Sequence, residues 1–374
     1  MKQFMTAGAA LLMTTSIATA GGLDRSGQSI GVIFEDGNWA ELSYGSINPS
    51  LTGVSGPAVG AGPSGNIAPD YSQLGIGLKM QYSDQLSMAI IYDQPFGANV
   101  DYADPTYVAG GSFAEVESDG LTVLGRYKIN PNFSVHGGLR YVQANGVYTP
   151  ASFGGPIYSS TYSSDGGTGY VIGGAYERED IALRLAVTYS SEIDLELDGT
   201  VGNLSTTLPE SINVDFQTGI AADTLLFGSM RYVAWDGFSL NDSVIATIDP
   251  IDIPSGSILS YDNDVYTYNV GVGRRITDNF AASFSIGYEK STGEETGQLG
   301  PTDGYISYQI GGAYTLDNGV EISGGIRYID VGDANTEDFV ADRTTSPDTT
   351  IPNSGATFAN NDAVAIGLKV GFNF

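Results

Sequence analysis

Residues 364–374 read VAIGLKVGFNF, and this stretch decides the class of fold. Large apolar side chains occupy every second position, while Ala, Gly, Lys and Asn occupy the positions between them. The same two-residue period recurs over residues 133–141, 181–189 and 280–288. Because successive side chains of a β-strand point to opposite faces, this period predicts strands with one apolar face and one small or polar face. The chain is therefore predicted to be all-β.

Two kinds of connection alternate along the chain. Six are tight and contain turn residues, and they lie at 83–84, 130–132, 179–180, 222–223, 277–279 and 317–319. Seven are long and polar, and they lie near 47–68, 99–112, 148–166, 192–207, 238–262, 290–302 and 331–359. Six short and seven long connections join fourteen strands. An even number of strands, with short turns at one end and long loops at the other, predicts a 14-stranded antiparallel transmembrane β-barrel over residues 39–374.

Tyrosines recur at a fixed distance from the short turns. In five strands a Tyr stands eight residues after the first residue of the strand and on the same face: Tyr141, Tyr189, Tyr232, Tyr288 and Tyr328. Eight strand residues tilted by about 40° rise roughly 20 Å, which is close to the height of the apolar band of such barrels. A second group comes just before the short turns: Tyr82, Tyr127, Tyr176 and Tyr314. We interpret the two groups as aromatic girdles at the two membrane interfaces.

The composition excludes several functions. The 374 residues include 43 acidic and 15 basic side chains, and the net charge of −28 argues against a nucleic-acid partner, which would need a basic surface. The chain has no Cys and one His, so we expect no disulfide, no metal site rich in these residues and no cofactor. No stretch approaches about 18 uninterrupted apolar residues, so no transmembrane helix is expected.

The N-terminus has the layout of an export signal. Residues 1–20 contain a Lys, a short apolar run and a final Ala-Thr-Ala, which is typical of a secretory signal peptide. A buried N-terminal helix is the alternative. Export combined with the strand pattern predicts location in an outer membrane. Residues 21–38 then form a short segment that precedes the barrel.

Several stretches resemble the FadL-type family of outer-membrane transporters for long-chain fatty acids and other hydrophobic compounds. In chain order they are GNIAP at 65–69, DQL at 84–86, residues 170–200, LPE at 208–210 and residues 305–328. Each motif is short, but together they cover most of the exported chain. The resemblance implies a barrel with an N-terminal hatch in its lumen, here residues 21–38. It also implies passive passage of the substrate into the lumen and out sideways through a kinked third strand.

The sequence has a physical reason for a kink in the third strand. The candidate residues for a lateral opening are Asp93, Pro95, Phe96 and Gly97. Pro95 cannot donate to the strand ladder, and Gly97 permits a bend. The alternative is that the strand simply ends at Asp93.

Two parts of the chain depart from the family pattern. The family's hatch usually carries Asn-Pro-Ala, whereas the matching hatch residues here are Gln28, Ser29 and Ile30. The third outer loop has no helical pattern, but it has apolar side chains that suit substrate capture: Phe153, Tyr158 and Tyr162. Packing of this loop on itself is the alternative.

Basic side chains fall on the register that faces the lumen. The candidate ligand-binding residues among them are Arg140, Arg231, Arg327 and Lys369. They would either bind the carboxylate of a fatty acid through charge-assisted hydrogen bonds or bind acidic residues of the hatch, such as Asp24. Acidic residues crowd the long loops instead, where they either solvate the surface or bridge through divalent cations to outer-membrane lipids.

Two other functions fit parts of the sequence. A general diffusion porin is the main alternative, although porins usually have about 16 to 18 strands. Ser134 and His136 lie two residues apart on the lumen face, but no side chain that would orient the His is apparent, so we expect no enzymatic activity. The final Phe374 fits recognition by the outer-membrane assembly machinery. We expect a monomer.

Overall fold

Fourteen antiparallel strands close into one barrel, which confirms the predicted fold class. The computed structural model describes residues 22–152, 155–164, 166–242, 246–248, 251–253, 256–342 and 346–374. The predicted signal peptide (1–20) and Phe153 lie outside the described residues. The first and last strands pair along their whole length, from Trp39 opposite Asn373 to Ser50 opposite Asp362, and this pairing closes the barrel.

The strands of the barrel are numbered in chain order, and six of them are assigned in two parts. They are β1 Trp39–Ser50, β2 Tyr71–Gln81, β3 Leu86–Asp93 and Gly97–Asp101, β4 Phe113–Lys128, β5 Phe133–Thr149, β6 Ser160–Ser164 and Gly167–Arg178, β7 Leu183–Ser190 and Ile193–Gly199, β8 Leu204–Leu208 and Ser211–Ala221, β9 Thr224–Val233 and Phe238–Asp242, β10 Gly256–Tyr261 and Val265–Arg275, β11 Phe280–Glu289, β12 Tyr305–Thr315, β13 Glu321–Val331 and β14 Asn361–Asn373.

Smaller elements lie outside the barrel wall. The 3₁₀ helices are Gly31–Phe34, Pro57–Val59 and Glu179–Ile181. Short strands in the long loops are Thr52–Val54, Pro63–Asn66, Ala151–Ser152, Gly155–Pro156, Ala246–Ile248, Ile251–Ile253, Ala334–Asn335, Val340–Asp342, Ser346–Thr350 and Thr357–Phe358. Within the described ranges, no helix is long and apolar enough to cross a membrane.

The short connections lie together at one end of the barrel, as the sequence predicts. They comprise residues 82–85, 129–132, 179–182, 222–223, 276–279 and 316–320. Several contain a residue in the left-handed region, such as Asp223 with φ 58° and Gly319 with φ 84°. Asp and Gly reach this conformation more readily than most residues, which explains why they occur in these turns. The two ends of the barrel are called the short-turn end and the long-loop end below.

The two faces of the wall have opposite chemistry. On β5, Leu139 is 63% exposed and Tyr141 is 40% exposed. The alternate residues Arg140 and Val142 are only 3% and 0% exposed. The same alternation leaves apolar side chains exposed around the whole barrel, for example Ile90, Ile310 and Leu368. A continuous apolar belt of this kind fits hydrocarbon better than water.

The prediction of a polar loop over residues 192–207 is wrong. Ile193–Gly199 and Leu204–Leu208 pair with each other and extend the hairpin of β7 and β8, so that only a short turn separates them. Similarly, Phe238–Asp242 pairs with Gly256–Tyr261 inside the predicted loop 238–262. In the first hairpin, acidic outward-facing residues alternate with buried apolar ones and make the stretch look like a loop; the buried ones are Ile193, Leu195, Leu197, Leu204 and Leu208.

Candidate functional site

The third strand is interrupted between Asp93 and Gly97, where the sequence predicts a kink. Both parts of β3 pair with β4, because Asp93 lies opposite Gly120 and Gly97 lies opposite Glu117. Three residues of β3, 94–96, therefore stand opposite two residues of β4, and the interruption is a β-bulge. The strand continues past Asp93 and does not end there.

The bulge changes which side chains of β3 face the lumen. An extra residue shifts the alternation of side chains by one position. Toward the short-turn end, the buried residues are the odd-numbered Ala89 and Ile91. Past the bulge, the buried residues are the even-numbered Phe96, Ala98 and Val100.

The bulge also leaves an opening between β2 and β3. The two strands pair from Gln81 of β2 only as far as Ile76. Residues 71–75 of β2 lie outside this ladder with β3, although they pair with β1 on their other side. The backbone N–H of Leu74 donates instead to Oε1 of Gln94 at 2.9 Å. This space between residues 71–75 and the second part of β3 is called the wall gap.

Arg25 of the N-terminal segment lies in the wall gap. The N–H of Arg25 donates to the carbonyl oxygen of Pro95, and the N–H of Gly97 donates to that of Leu23, both at 2.8 Å. The Arg25 Cζ lies 4.3 Å from the centre of the Tyr71 ring, in a cation–π contact across the gap. A Cβ on Gly97 would lie 2.6 Å from Arg25 Cζ, so glycine is required for this approach.

The other predicted residues of the lateral opening are held from inside the barrel. Asp93 accepts a 2.5 Å hydrogen bond from the hydroxyl of Ser26, which is in the N-terminal segment. The N–H of Phe96 donates to Ser118 Oγ at 2.8 Å. The interrupted backbone therefore has polar partners in place of strand neighbours.

A cavity of about 180 Å³ connects the lumen with the outer face of the wall beside the gap. Its inner lining includes Ser29 and Glu35 of the N-terminal segment and the predicted Lys369. Its outer lining includes Leu74 and Leu368, which belong to the exposed apolar face. We call this space the wall cavity.

A second cavity, the apolar pocket, has a volume of about 60 Å³ and lies at the long-loop end of the lumen. Glu115 is the one charged residue among its described lining residues. The apolar lining residues come mainly from β3 and from the strands that the sequence analysis took for loops; they include Leu23, Phe96, Ala98, Val100, Leu195, Leu197, Leu204, Leu208, Leu240 and Leu299. The alternation of Leu with Asp and Glu over 193–199 was the signal that could have identified this pocket.

A third cavity, the outer vestibule, has a volume of about 320 Å³ and is formed by the long loops. It shares Tyr148, Leu259 and Leu299 with the lining of the apolar pocket, so the two spaces adjoin. Acidic residues are prominent in its lining: Asp262, Glu294, Glu295, Asp303, Glu337 and Asp338. Backbone hydrogen bonds, the strongest from Gly355, lower the pKa of the Asp338 carboxyl.

Two of the predicted ligand-binding residues contact the N-terminal segment. Arg231 forms a buried ion pair with Asp24. Arg140 donates from Nη1 to Oε1 of Gln28 at 2.6 Å, and it also binds Thr122 at 2.9 Å. Both arginines are buried, and the contacts tie the segment to two separate strands of the wall, β5 and β9.

The other two predicted cations have different surroundings. The Cζ of Arg327 lies 5.3 Å from the centre of the Tyr305 ring. Lys369 Nζ lies 3.2 Å from Glu41 Oε2. Lys369 lines the wall cavity, whereas Arg327 lines none of the three cavities described above.

The remaining predicted residues fall into two places. Tyr162 is 3% exposed and lines the apolar pocket, and Tyr158 packs beside it with its ring centre 6.1 Å from that of Tyr148. Ser29 Oγ accepts a hydrogen bond from the N–H of Gly31 at 3.2 Å. Ile30 is buried in the apolar cluster around the 3₁₀ helix that follows it.

Glu35 lies near the short-turn end, beside the wall cavity. Its carbonyl oxygen accepts a 2.6 Å hydrogen bond from Lys79. Burial raises the pKa of the Glu35 carboxyl to about 7; Lys369 opposes this shift, and the nearby carboxylate of Glu41 adds to it. This carboxyl therefore changes its charge near neutral pH.

Ser134 and His136 have separate partners. Ser134 Oγ accepts a 3.0 Å hydrogen bond from Arg126, and His136 Nε2 lies 3.0 Å from the hydroxyl of Thr188. The His136 ring also packs edge-on against Phe34. A nucleophile needs a hydrogen bond to its base, and these contacts engage the two side chains elsewhere.

No family model and no curated protein matches the sequence, but solved structures match the fold. A FadL homologue from Pseudomonas aeruginosa has a TM-score of 0.72 at 15% identity, over 97% of this chain and 99% of that chain. The toluene transporter TodX of P. putida has a TM-score of 0.64 at 11% identity, over 92% of this chain and 91% of that chain. The chain has the FadL-type fold.

Another FadL-type match is the toluene transporter TbuX of Ralstonia pickettii, with a TM-score of 0.59 at 12% identity, over 95% of this chain and 92% of that chain. These matches confirm the antiparallel barrel of FadL type that the sequence resemblance implied. Two of these three structures are described as toluene transporters, and none of the three is described as an enzyme. The FadL-type barrel of this chain thus combines an outer vestibule, an apolar pocket and a wall gap in one lumen.

Proposed function

We propose that this protein is an outer-membrane channel that moves hydrophobic compounds passively into the cell envelope. The apolar pocket inside a barrel with an apolar outer face is the observation that carries the proposal. Solved structures with the same fold include two that are described as toluene transporters, which supports this class of substrate. Long-chain fatty acids and hydrocarbons both belong to the class.

The three cavities suggest a route. A compound would enter the outer vestibule and pass into the adjoining apolar pocket, where Tyr162 in the lining and Tyr158 packed against the surrounding cluster would contribute to capture. Burial of each CH₂ group contributes about 0.8 kcal/mol, so the pocket favours apolar compounds without a specific polar contact. Leu23 and Phe96 line this pocket and do not line the wall cavity, so passage from one space to the other requires them or their neighbours to move.

Lateral exit through the wall gap is the second part of the proposal. The wall cavity leads to the exposed apolar side chains of Leu74 and Leu368. A hydrophobic compound that leaves there enters hydrocarbon directly and is never transferred into water. In the described structure Arg25 occupies the gap, so the N-terminal segment would act as a hatch that must release Arg25 before exit.

A general diffusion porin is the alternative, and the lumen does not favour it. A porin needs a continuous aqueous channel. Here the N-terminal segment crosses the lumen and is fixed to it by buried contacts such as Asp24 with Arg231 and Gln28 with Arg140.

Uptake by cells and conductance in planar bilayers test the proposal together. Radiolabelled 1-decanol should enter Gram-negative cells faster when the gene is expressed than with an empty vector, and the purified protein should give small single-channel currents. Equal uptake with and without the gene would disprove the transport of hydrophobic compounds. Large, steady ion currents would favour the porin.

A further inference from the structure

The outer vestibule has a negative lining. Six of its lining residues are Asp or Glu, and among the described residues no Lys, Arg or His lines it. Glu294 and Glu295 are exposed in one loop, and Glu337 is exposed in another, so negative charge borders the entrance from more than one side. Carboxylates that converge on a cleft lower the local concentration of anions.

The apolar pocket has no Lys, Arg or His among its described lining residues, so it offers an anion no counter-charge. Glu115 is its one charged lining residue in the described part of the chain, and it has the same sign as a fatty-acid carboxylate. Burying a carboxylate without a counter-charge or hydrogen-bond donors is strongly unfavourable. An anionic head group would therefore meet repulsion in the vestibule and an uncompensated burial in the pocket.

Two lumen cations, Arg140 and Arg231, lie on the short-turn side of the pocket, whereas Arg25, which interacts electrostatically with Glu115, lies in the wall gap beside Tyr71. Val142 and Val233 belong to the apolar cluster around the pocket, and Arg140 and Arg231 lie two residues closer to the short-turn end on the same strands. Arg231 is paired with Asp24, and Arg140 has its own hydrogen bonds to the segment and wall. Leu23 belongs to the same apolar cluster and lines the pocket, whereas neither arginine is among the lining residues.

We propose that the channel selects uncharged hydrophobic compounds and discriminates against fatty-acid anions. The acidic vestibule reduces the entry of anions, and the uncompensated pocket reduces their binding. The inference rests on the proposed transport function and specifies its substrate class.

The test compares 1-decanol with decanoate, which have the same chain length and differ in charge at pH 7. Initial uptake of each radiolabelled compound is measured in cells with and without the gene. Gene-dependent uptake of decanol should exceed that of decanoate at least about tenfold. Equal gene-dependent uptake of both would overturn the charge selection while leaving the transport function intact. Failure of both compounds to show gene-dependent uptake would instead disprove the transport function.

A charge-neutralised variant tests where the selection resides. Replacing three vestibule residues together, Glu294→Gln, Glu295→Gln and Glu337→Gln, should raise the ratio of decanoate to decanol uptake several-fold. The matched control removes three negative charges at the short-turn end and should leave this ratio as it is: Asp278→Asn, Asp317→Asn and Glu179→Gln. An equal ratio in both triple variants and the parent would contradict a role of the vestibule charges.

Ionic strength provides an independent measurement on the parent protein. Raising salt from about 0.01 M to about 0.15 M shortens the Debye length from about 30 Å to about 8 Å. Gene-dependent uptake of decanoate should rise with salt, whereas that of decanol should not. A decanoate rate that is independent of salt would argue against electrostatic exclusion at the entrance.

Discussion

Arg231 on β9 binds both carboxylate oxygens of Asp24, with Nη2 lying 3.2 Å from Oδ1 and Nε bonded to Oδ2. Arg231 Nη1 also donates to Asn213 at 2.8 Å and to Ser211 at 3.2 Å. The ion pair therefore joins the beginning of the described chain to a strand residue 207 positions later. Because both charges are buried, loss of either one leaves the other without compensation.

We expect Asp24→Asn to loosen the N-terminal segment. Breaking a buried ion pair costs about 3–5 kcal/mol, so residues 22–38 should exchange their amide hydrogens at least tenfold faster while the barrel strands remain protected. Mass-spectrometric hydrogen exchange on the purified protein measures both. The matched control is Asp223→Asn, which removes a partly exposed pair with Arg275 and should have little effect on the segment. Unchanged exchange in Asp24→Asn would show that the pair does not hold the segment.

Deleting Pro95 should close the wall gap. The deletion leaves two residues of β3 opposite two of β4, so the bulge is removed and β3 can pair with β2 throughout. Gene-dependent uptake of decanol should fall at least about tenfold if exit is lateral. The matched control is deletion of Ile220, which removes another one-residue irregularity, between β8 and β9. Parental uptake by the Pro95 deletion, with the protein folded, would contradict lateral exit.

The strands and short turns of the barrel could be predicted from the sequence, because side-chain alternation and turn residues are local patterns. Alternation over 364–374 and the turn residues at the short-turn end predicted fourteen strands, and the structure has them. The interruption at Asp93 to Gly97 was also predictable, because Pro removes a strand donor wherever it occurs. In contrast, the hairpin extension at 193–199 was missed, since its outward face is charged and a loop has the same composition.

The partners of the lumen cations could not be predicted from the sequence. Two possibilities, a ligand carboxylate or an acidic residue of the N-terminal segment, fit Arg231 equally well until the three-dimensional arrangement was known. The structure pairs it with Asp24. Arg25 was not identified at all, because its position in the wall gap depends on Tyr71 and Gly97, which no local pattern connects to it.

Because the outer face of the barrel is apolar, we expect the cost of placing a charge on it to depend on the depth of the residue in the membrane. Ile90 lies in the middle of the outward face of β3, whereas Leu86 on the same face lies next to a short turn, and both are exposed. We expect Ile90→Arg to reduce the free energy of unfolding by about 2–4 kcal/mol and Leu86→Arg by about 0–1 kcal/mol. Urea unfolding of the protein in lipid vesicles measures both. Equal effects would show that this face does not contact hydrocarbon.

The raised pKa of Glu35 predicts that the free energy of unfolding decreases as pH rises. The pKa of its carboxyl in the folded protein is about 7, above the value of 4.5 for an unperturbed Glu, so the folded state binds the proton more tightly. The stabilisation is complete below about pH 4.5 and decreases as pH rises to about 7, by at most about 3 kcal/mol. Glu35→Gln should therefore be more stable than the parent at pH 8, with little difference at pH 4.

Thermal unfolding of the purified protein at several pH values checks this expectation. The control is Asp36→Asn, an exposed neighbour in the sequence, which should follow the parental pH dependence. If the thermal stability of Glu35→Gln depends on pH in the same way as that of the parent, then Glu35 does not control this pH dependence.

The single extra residue in β3 has a consequence for how such a channel could arise. One inserted codon in an ancestral gene for a continuous strand would part β3 from β2 and, by the same event, rotate Phe96, Ala98 and Val100 toward the interior. The exit and part of the substrate lining would then have a common genetic origin and would not need to evolve separately. Reversal of the insertion would remove both at once.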